Sequence, residues 1–336
     1  MINVKEISVK EKNTTNPIVS VIVPLYNEEK YIEIFIKSLI NQTYPMEQME
    51  WIFVDGESED NTVLIIDKYI SSYPILLLKN TKKKTPFALN MAIKEAKGKY
   101  IIRMDAHAEF YPDYIEKCVY YLEHTDSANV GGVAETISRG FRGKVISFML
   151  STKFGVGGSD FRIGDADKYV DTVPYGAFKK EIFEKVGLFD TDLLRSEDNE
   201  MNARIRKAGG KIWLASDIRF KYYCRDTFSA ILKMALQNGN ALFYTMKKNP
   251  GATSLRHFIP FLFLLSVIVL PAISIICPLF KWIMYLELLV YLSLDLFFSF
   301  SSKKISYSAV LLWLYPLFHL TYGVGSLLGF FKVKLY

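Results

Sequence analysis

Asp105-Ala106-His107 closes a short apolar run, Tyr100-Ile101-Ile102-Arg103-Met104. The run is rich in β-branched and aromatic residues and reads as a buried strand. A carboxylate and an imidazole two positions apart, where a strand ends, can turn toward one metal ion. Open α/β sheets bind ligands beyond the carboxyl ends of their strands, and a divalent ion held there can grip a diphosphate. Imidazole among the donors tilts the choice toward Mn²⁺, because Mg²⁺ prefers oxygen. Asp55 follows another strand-like run. It either accepts hydrogen bonds from a base or ribose, or caps a helix with Ser58 or Asp60. The third cluster is Arg195-Ser196-Glu197-Asp198-Asn199-Glu200, ahead of an amphipathic stretch and a Gly209-Gly210 stop. These polar residues either cap a helix and suit its dipole, or one carboxylate enters a cleft as a general base and takes a proton from an attacking hydroxyl.

The elements that must position these groups alternate. Val19 to Val23 is a strand that stops at Pro24. Asn27-Glu28-Glu29 opens a helix to about Asn41, with Ile32, Phe35, Ile36 and Leu39 on one face. Strands follow at Glu50 to Val54, Ile75 to Leu78 and Lys99 to Met104. Helices run from Ser58–Asn61 to Ile70, and from Thr85-Pro86 to about Lys97, ended by Gly98. Strand and helix in turn predict an α/β fold, a mostly parallel sheet with helices on both faces. Asn27, Glu28, Asp55, Ser58, Asp60, Asp105 and His107 all fall just after strands, where a nucleotide binds. No GxGxxG follows the first strand and no GxxxxGK[ST] is present, which argues against a dinucleotide fingerprint and a P-loop. Gly155 to Lys168 reads as a mobile loop, a lid or an inert connection. Gly176, in the turn Val173 to Phe178, has the freedom to let backbone approach a sugar.

The chain has 336 residues and a net charge of +6. Lys82-Lys83-Lys84 is its single run of three basic residues, so no nucleic-acid stripe exists. Three cysteines, Cys118, Cys224 and Cys277, lie far apart without CxxC spacing. They fit buried small hydrophobes in a reducing compartment. Residues 1–17 are charged, with no apolar core of a signal peptide.

Composition changes at Phe258. Phe258 to Phe280 carries no charge and is long enough to cross about 30 Å of hydrocarbon. Trp282 to Phe300 holds Glu287 and Asp295, and 305–331 holds His319. These predict three membrane helices, about 258–280, 282–300 and 305–331. Arg256, Lys247, Lys248 and Lys303-Lys304 belong inside. Three crossings would then put Lys332 and Lys334 outside, against the rule; either the third segment does not cross, or the rule is weak here. Thr227 to Lys248 has helical apolar spacing and reads as an amphipathic helix on the membrane surface or facing a core.

Five segments in order resemble the inverting family 2 glycosyltransferases of the GT-A fold. They are Val19-Ser20-Val21-Ile22-Val23-Pro24-Leu25-Tyr26-Asn27-Glu28-Glu29, Val54-Asp55-Gly56 through Thr62, Ala88-Leu89-Asn90 through Gly98, Asp105-Ala106-His107-Ala108, and Glu197-Asp198-Asn199-Glu200. With Val173 to Phe178 and the apolar tail, the chain is most similar to the bacterial exopolysaccharide branch, of the succinoglycan glucosyltransferase type. The domain plan implied is a tail (1–16), a GT-A domain (17–226), an amphipathic interface region (227–257) and a membrane domain (258–336).

The resemblance implies roles. Pro24, Tyr26, Glu28 and Asn90 should line the nucleotide site, with Asp55 on the base. Asp105 should approach ribose and metal, Mn²⁺ or Mg²⁺, and His107 should take the metal-ligand place usually held by the second Asp of DxD. Asp198 should be the general base. The implied reaction moves one sugar from a nucleotide-sugar, a UDP-sugar by family habit, to a polyprenyl-linked saccharide at the inner (plasma) membrane, with the catalytic domain cytosolic. Gln237-Asn238-Gly239-Asn240 stands near the QxxRW place of processive synthases without the Arg-Trp, which implies one sugar per encounter. The partners implied are thus the donor, the lipid-linked acceptor and membrane lipid, not nucleic acid. A transferase acting on bare polyprenyl phosphate is the first alternative, and a non-catalytic binding protein the second.

Overall fold

Val19–Leu25 (β1), Met49–Asp55 (β2), Ile75–Lys79 (β3) and Tyr100–Arg103 (β4) lie parallel in the order β3-β2-β1-β4. In the computed structural model, which describes residues 18–335, Val21, Ile22, Trp51, Ile52, Phe53, Ile101 and Ile102 are all fully buried. The predicted tail, 1–16, lies outside the described residues. Unbroken apolar runs of this kind are what parallel strands covered on both faces require. The helices that follow β1, β2 and β3 are Ile32–Ile40 (α1), Thr62–Ile70 (α2) and Thr85–Glu95 (α3). Ile32, Phe35, Ile36 and Leu39 of α1 are fully buried, each worth about 1.5–3 kcal/mol relative to exposure. α1 begins five residues later than Asn27, because the N–H groups of Tyr31 and Ile32 both turn back to the Glu28 carbonyl.

β1 also continues through Pro24, contrary to the expected stop. Ile22 faces β4, since its carbonyl accepts from Met104 N–H. Pro24, two residues on, faces the same way. The β1–β4 pairing ends at Ile22 opposite Arg103, so the N–H that proline lacks would have had no partner there.

The rest of the sheet is mixed rather than parallel. After Ala108–Phe110 (β5), Tyr114–His124 (α4) and Ser127–Ile137 (β6) come helices Gly140–Leu150 (α5), Lys153–Val156 (α6) and Asp160–Ile163 (α7). Then follow Lys168–Tyr169 (β7), Ala177–Lys179 (β8), Glu181–Val186 (α8), Glu197–Lys207 (α9) and Lys211–Tyr223 (β9). The strand order is β3-β2-β1-β4-β8-β6-β9-β5, with β7 on β9. β8 runs antiparallel to both β4 and β6. The segment Gly155 to Lys168, read as a lid or an inert connection, carries the end of α6 and α7. Phe154 of α6, one residue ahead of it, is packed among Tyr291, Phe298 and Tyr315, so the chain entering the segment is anchored.

The chain forms two compact units. One is the chain up to Gly132 with Asp167–Leu194 and Ile205–Phe220; the other is Val133–Ala166, Arg195–Arg204 and the chain from Lys221 on. The second unit contains Phe228–Lys248 (α10) and three apolar helices, Ile259–Ile276 (α11), Leu279–Phe300 (α12) and Ile305–Phe330 (α13). All three are long and apolar enough to cross a membrane. The apolar face of α10, read from sequence as directed at a membrane or a core, is covered by protein. Ile231 and Ala235 share a core with Val145, Ile146 and Met149 of α5 and Leu311, Leu314 and Tyr315 of α13. The α10 and α13 backbones nearly touch: a Cβ on Gly325 would come within 2.0 Å of the Leu236 carbonyl. Small residues permit that approach.

Candidate active site

In the first unit, the loops after β1 and β2 are laced together. Asn27 N–H donates to Ser58 Oγ (2.9 Å), Glu28 N–H to Thr62 Oγ1 (2.7 Å) and Glu29 N–H to Asp60 Oδ2 (3.1 Å). Glu59 N–H returns a bond to Asn27 Oδ1 at 2.9 Å. Asn27 and Glu57 hold positive φ, 54° and 61°, a conformation most non-glycine residues avoid. Burial works to raise the Asp60 carboxyl, but bonds from the Thr62 hydroxyl and from backbone N–H groups outweigh it and hold it below the usual range. Asp55, at the end of β2, is buried and accepts from Ser58 N–H (3.0 Å) and Ser58 Oγ (2.6 Å). It therefore shapes this turn without capping α2, which begins only at Thr62. Each oxygen keeps acceptor capacity. Pro24 sits inside β1, and Tyr26, just beyond it, is 45% exposed.

The loop after β4 joins the same group. Asp105 is buried in the fork of Arg103, with Nε to Oδ1 at 2.8 Å and Nη2 to Oδ2 at 3.0 Å. The Arg103 guanidinium stands 5.7 Å from the Tyr175 ring centroid. Tyr175 Oη lies 3.3 Å from His107 Nε2, and His107 Nδ1 lies 3.2 Å from Glu28 Oε1. Tyr175 is itself at φ 48°, and such strain persists where surroundings over-determine it. Gly176 beside it is required by packing. A Cβ there would meet Asn129 Oδ1 at 2.4 Å and the Phe178 ring at 2.6 Å.

Among the described residues, no three His, Cys, Asp or Glu side chains are grouped to hold a metal by themselves. The donor chemistry nonetheless fits an ion shared with a diphosphate, which needs only one or two protein ligands. A histidine whose Nδ1–H is held by a carboxylate offers the Nε2 lone pair in a fixed direction. Glu28 is placed to hold His107 in that way.

Asp198 belongs to the second unit, in the first turn of α9. Ser196, just before that turn, is at φ 62°. Arg195 reaches α10, with Nη1 to Asn238 Oδ1 at 3.1 Å and Nη2 to Gln237 Oε1 at 2.5 Å. Glu200 is buried and taken by Arg204, with Nε to Oε1 and Nη2 to Oε2 both at 2.8 Å. Asn249 Nδ2 adds a contact to Glu200 at 3.4 Å. Of the acidic residues in this cluster, Glu200 is thus engaged in a buried ion pair.

Sequence reasoning assigned no role to Arg103, Tyr175 or Arg195. Arg103 had a signal: a charge within an otherwise apolar strand demands a buried partner. Asn90, expected at the nucleotide, has its amide engaged within the fold. It donates to the Phe189 carbonyl (2.8 Å) and accepts from Phe189 N–H (2.9 Å), bracing a loop 99 residues away. Asn90→Ala is expected to lose roughly 1–3 kcal/mol of stability with nucleotide affinity unchanged. Thermal unfolding with and without nucleotide, beside calorimetric titration, checks this.

A family model described as Glycosyl transferase family 2 matches residues 20–187. The dolichyl N-acetyl-alpha-D-glucosaminyl phosphate 3-beta-D-2,3-diacetamido-2,3-dideoxy-beta-D-glucuronosyltransferase of Methanococcus voltae is 32% identical over 75% of this chain and 81% of its own. The succinoglycan biosynthesis protein ExoA of Rhizobium meliloti is 28% identical over 71% and 73%. Among solved structures, the mannosyltransferase PcManGT from Pyrobaculum calidifontis, in complex with GDP-Man and Mn²⁺, superposes with a TM-score of 0.65 at 19% identity, covering 95% of this chain and 89% of that one. That likeness establishes the GT-A fold.

Proposed function

The chain belongs to glycosyl transferase family 2, and we propose that it is an inverting transferase that moves one sugar from a UDP-sugar to a lipid-linked saccharide. The observation that carries the acceptor class is the anchoring of α9. Its first turn bears Asp198, and its flanks are tied to Gln237 and Asn238 of α10 and to Asn249, close before the first apolar helix. A base held to the membrane-proximal segment suits an acceptor whose lipid stays in the bilayer. The names of the two relatives, a dolichyl phosphate glycosyltransferase and a succinoglycan protein, point the same way.

The donor site is proposed in the first unit. Asp55 accepts the imide N–H of uracil, Tyr26 offers its exposed ring to the base, and Pro24 shapes the strand end beneath. Asp105 and His107 are the groups that would hold Mn²⁺ or Mg²⁺, with Glu28 orienting the imidazole through Nδ1 and the ion taking the place of Tyr175 Oη at Nε2. A divalent ion bound there supplies positive charge against the diphosphate. Asp198 takes the proton of the acceptor hydroxyl as its oxygen bonds to C1 and the C1–O bond to the diphosphate breaks. The nucleoside diphosphate leaves, and the anomeric configuration inverts. The proposed site of action is the inner membrane, with the catalytic residues cytosolic.

The test is nucleoside diphosphate release by detergent-purified protein, with a panel of UDP- and GDP-sugars, either metal, and membrane lipid extract. One UDP-sugar is expected to support release that requires the lipid extract. Release with a GDP-sugar alone would overturn the donor assignment. Release that proceeds equally without lipid would overturn the acceptor class.

A further inference from the structure

We infer that the apolar tail crosses the bilayer twice, not three times, and that α13 lies in the membrane interface across the base of an α11–α12 hairpin. Leu335 then sits on the same side as Arg256. The three helices are alike in hydropathy but not in burial. From Leu265 to Leu294, covering most of α11 and α12, no residue is buried, and Ile275, Ile276, Leu279 and Trp282 are each at least 63% exposed. On α13, buried residues run from Ser308 to Gly329.

α11 and α12 pair antiparallel. Phe263 stacks on Tyr291 at 4.3 Å, and Ser266 Oγ donates to Glu287 Oε1 at 2.5 Å. The contacts of α13 with this hairpin fall at its base. A Cβ on Gly323 would meet the Pro260 carbonyl and Leu264, and Phe330 meets Phe261. His319 Nδ1 lies 2.8 Å from Tyr291 Oη, and Ser308 Oγ donates to the Ser299 carbonyl at 2.9 Å. Ser308 to Phe330 is about 33 Å of helix, yet these partners occupy only about 6 Å of α11 and about 12 Å of α12. A helix lying along the hairpin would spread its partners over a matching length. α13 therefore crosses it.

α13 instead runs beside α10. Phe228 meets Trp313 at 5.1 Å, Gly325 abuts Leu236, and Asn240 Nδ2 donates to the Val333 carbonyl at 2.7 Å. α10 carries Lys233, Gln237, Asn238, Lys247 and Lys248, and a crossing α13 would carry these polar groups into hydrocarbon. In the interface they remain hydrated. The exposed residues Trp313, Leu317, Val324 and Phe331 of α13 and its end share one face, the stripe an interfacial helix presents to acyl chains.

Lengths and charges agree. The 18 residues of α11 and 22 of α12 extend about 27 and 33 Å, matching a bilayer core. At the far tip, Lys281, Trp282 and Tyr285 gather, as interface anchors do. Two crossings place Lys247, Lys248, Arg256, Lys303, Lys304, Lys332 and Lys334 on one side, which removes the conflict with the positive-inside rule.

Cysteine labelling tests this in bacterial cells expressing the full chain. Cys118 and Cys224 are buried, so a Cys277→Ser background serves for Lys281→Cys, Ser302→Cys and Lys334→Cys. A membrane-impermeant maleimide is expected to modify Lys281→Cys in intact cells, and the other two only after permeabilisation. Modification of Lys334→Cys together with Lys281→Cys in intact cells would mean a third crossing and overturn the inference. Protection of Lys281→Cys until permeabilisation would mean a hairpin that does not cross, and would overturn it too. A fluorescent-protein fusion after Tyr336 repeats the test without cysteines: it should fluoresce, and a dark, fully expressed fusion would count against the inference.

Discussion

Asp198→Asn is expected to lower kcat for transfer to a hydroxyl acceptor by about 10²–10⁴-fold, the usual contribution of a positioned general base. Donor affinity should change little. Asparagine keeps the volume and hydrogen-bonding shape of the side chain but cannot take the proton. Glu197→Gln is the matched control, since Glu197 is the neighbouring carboxylate in the same helical turn. Its kcat should stay near wild type. Glu200→Gln should behave differently from both. It weakens a buried fork with Arg204, so its loss should appear first in thermal stability. Single-turnover kinetics with a defined acceptor separates these cases. Full activity of Asp198→Asn would remove Asp198 as the base. It would also favour a bare polyprenyl phosphate acceptor, which is already ionised and needs no base.

Asp105→Ala is expected to cost about 3–5 kcal/mol of stability, because it leaves the buried Arg103 guanidinium without its carboxylate. The two side chains are only 4% and 11% exposed. Loss of activity in that variant would therefore not by itself report a lost metal ligand. The double variant Arg103→Met with Asp105→Leu is the informative one. Replacing both charges by apolar groups should restore most of the stability and leave nucleotide binding with Mn²⁺ lost. Thermal unfolding and calorimetric titration on the same preparations read the two effects separately. If the double variant regains nucleotide binding, Asp105 acts only as the partner of Arg103.

The elements near the site were legible because each carries a local signature. Period-3.6 spacing marks α1, and Pro86 at its first turn marks the start of α3. Unbroken apolar runs mark β1, β2 and β4. The antiparallel half of the sheet was not legible. β8 has three residues, too few for a period to show, and its partners β4 and β6 are selected by tertiary packing. The strand end at Pro24 was misplaced because the penalty for a missing N–H depends on which neighbour that edge faces. The mobile reading of Gly155 to Lys168 weighed glycine content. It could not register that Phe154 has an aromatic pocket waiting far along the chain.

At the site, the sequence by itself determined which groups stand at strand ends and which family they resemble, because those are properties of order and spacing. Only the tertiary structure decided how those groups are engaged. Glu28 meets His107 across 79 positions, Asn90 braces Phe189 across 99, and Arg195 reaches α10 across more than 40. Such pairings depend on distances that no local pattern encodes. The tail shows the same division. Composition marked three helices that avoid water, but it cannot say what replaces the water. An apolar face buried against α10 and one facing lipid satisfy the same hydrophobic demand, and only the packing of α13 along α10 tells them apart.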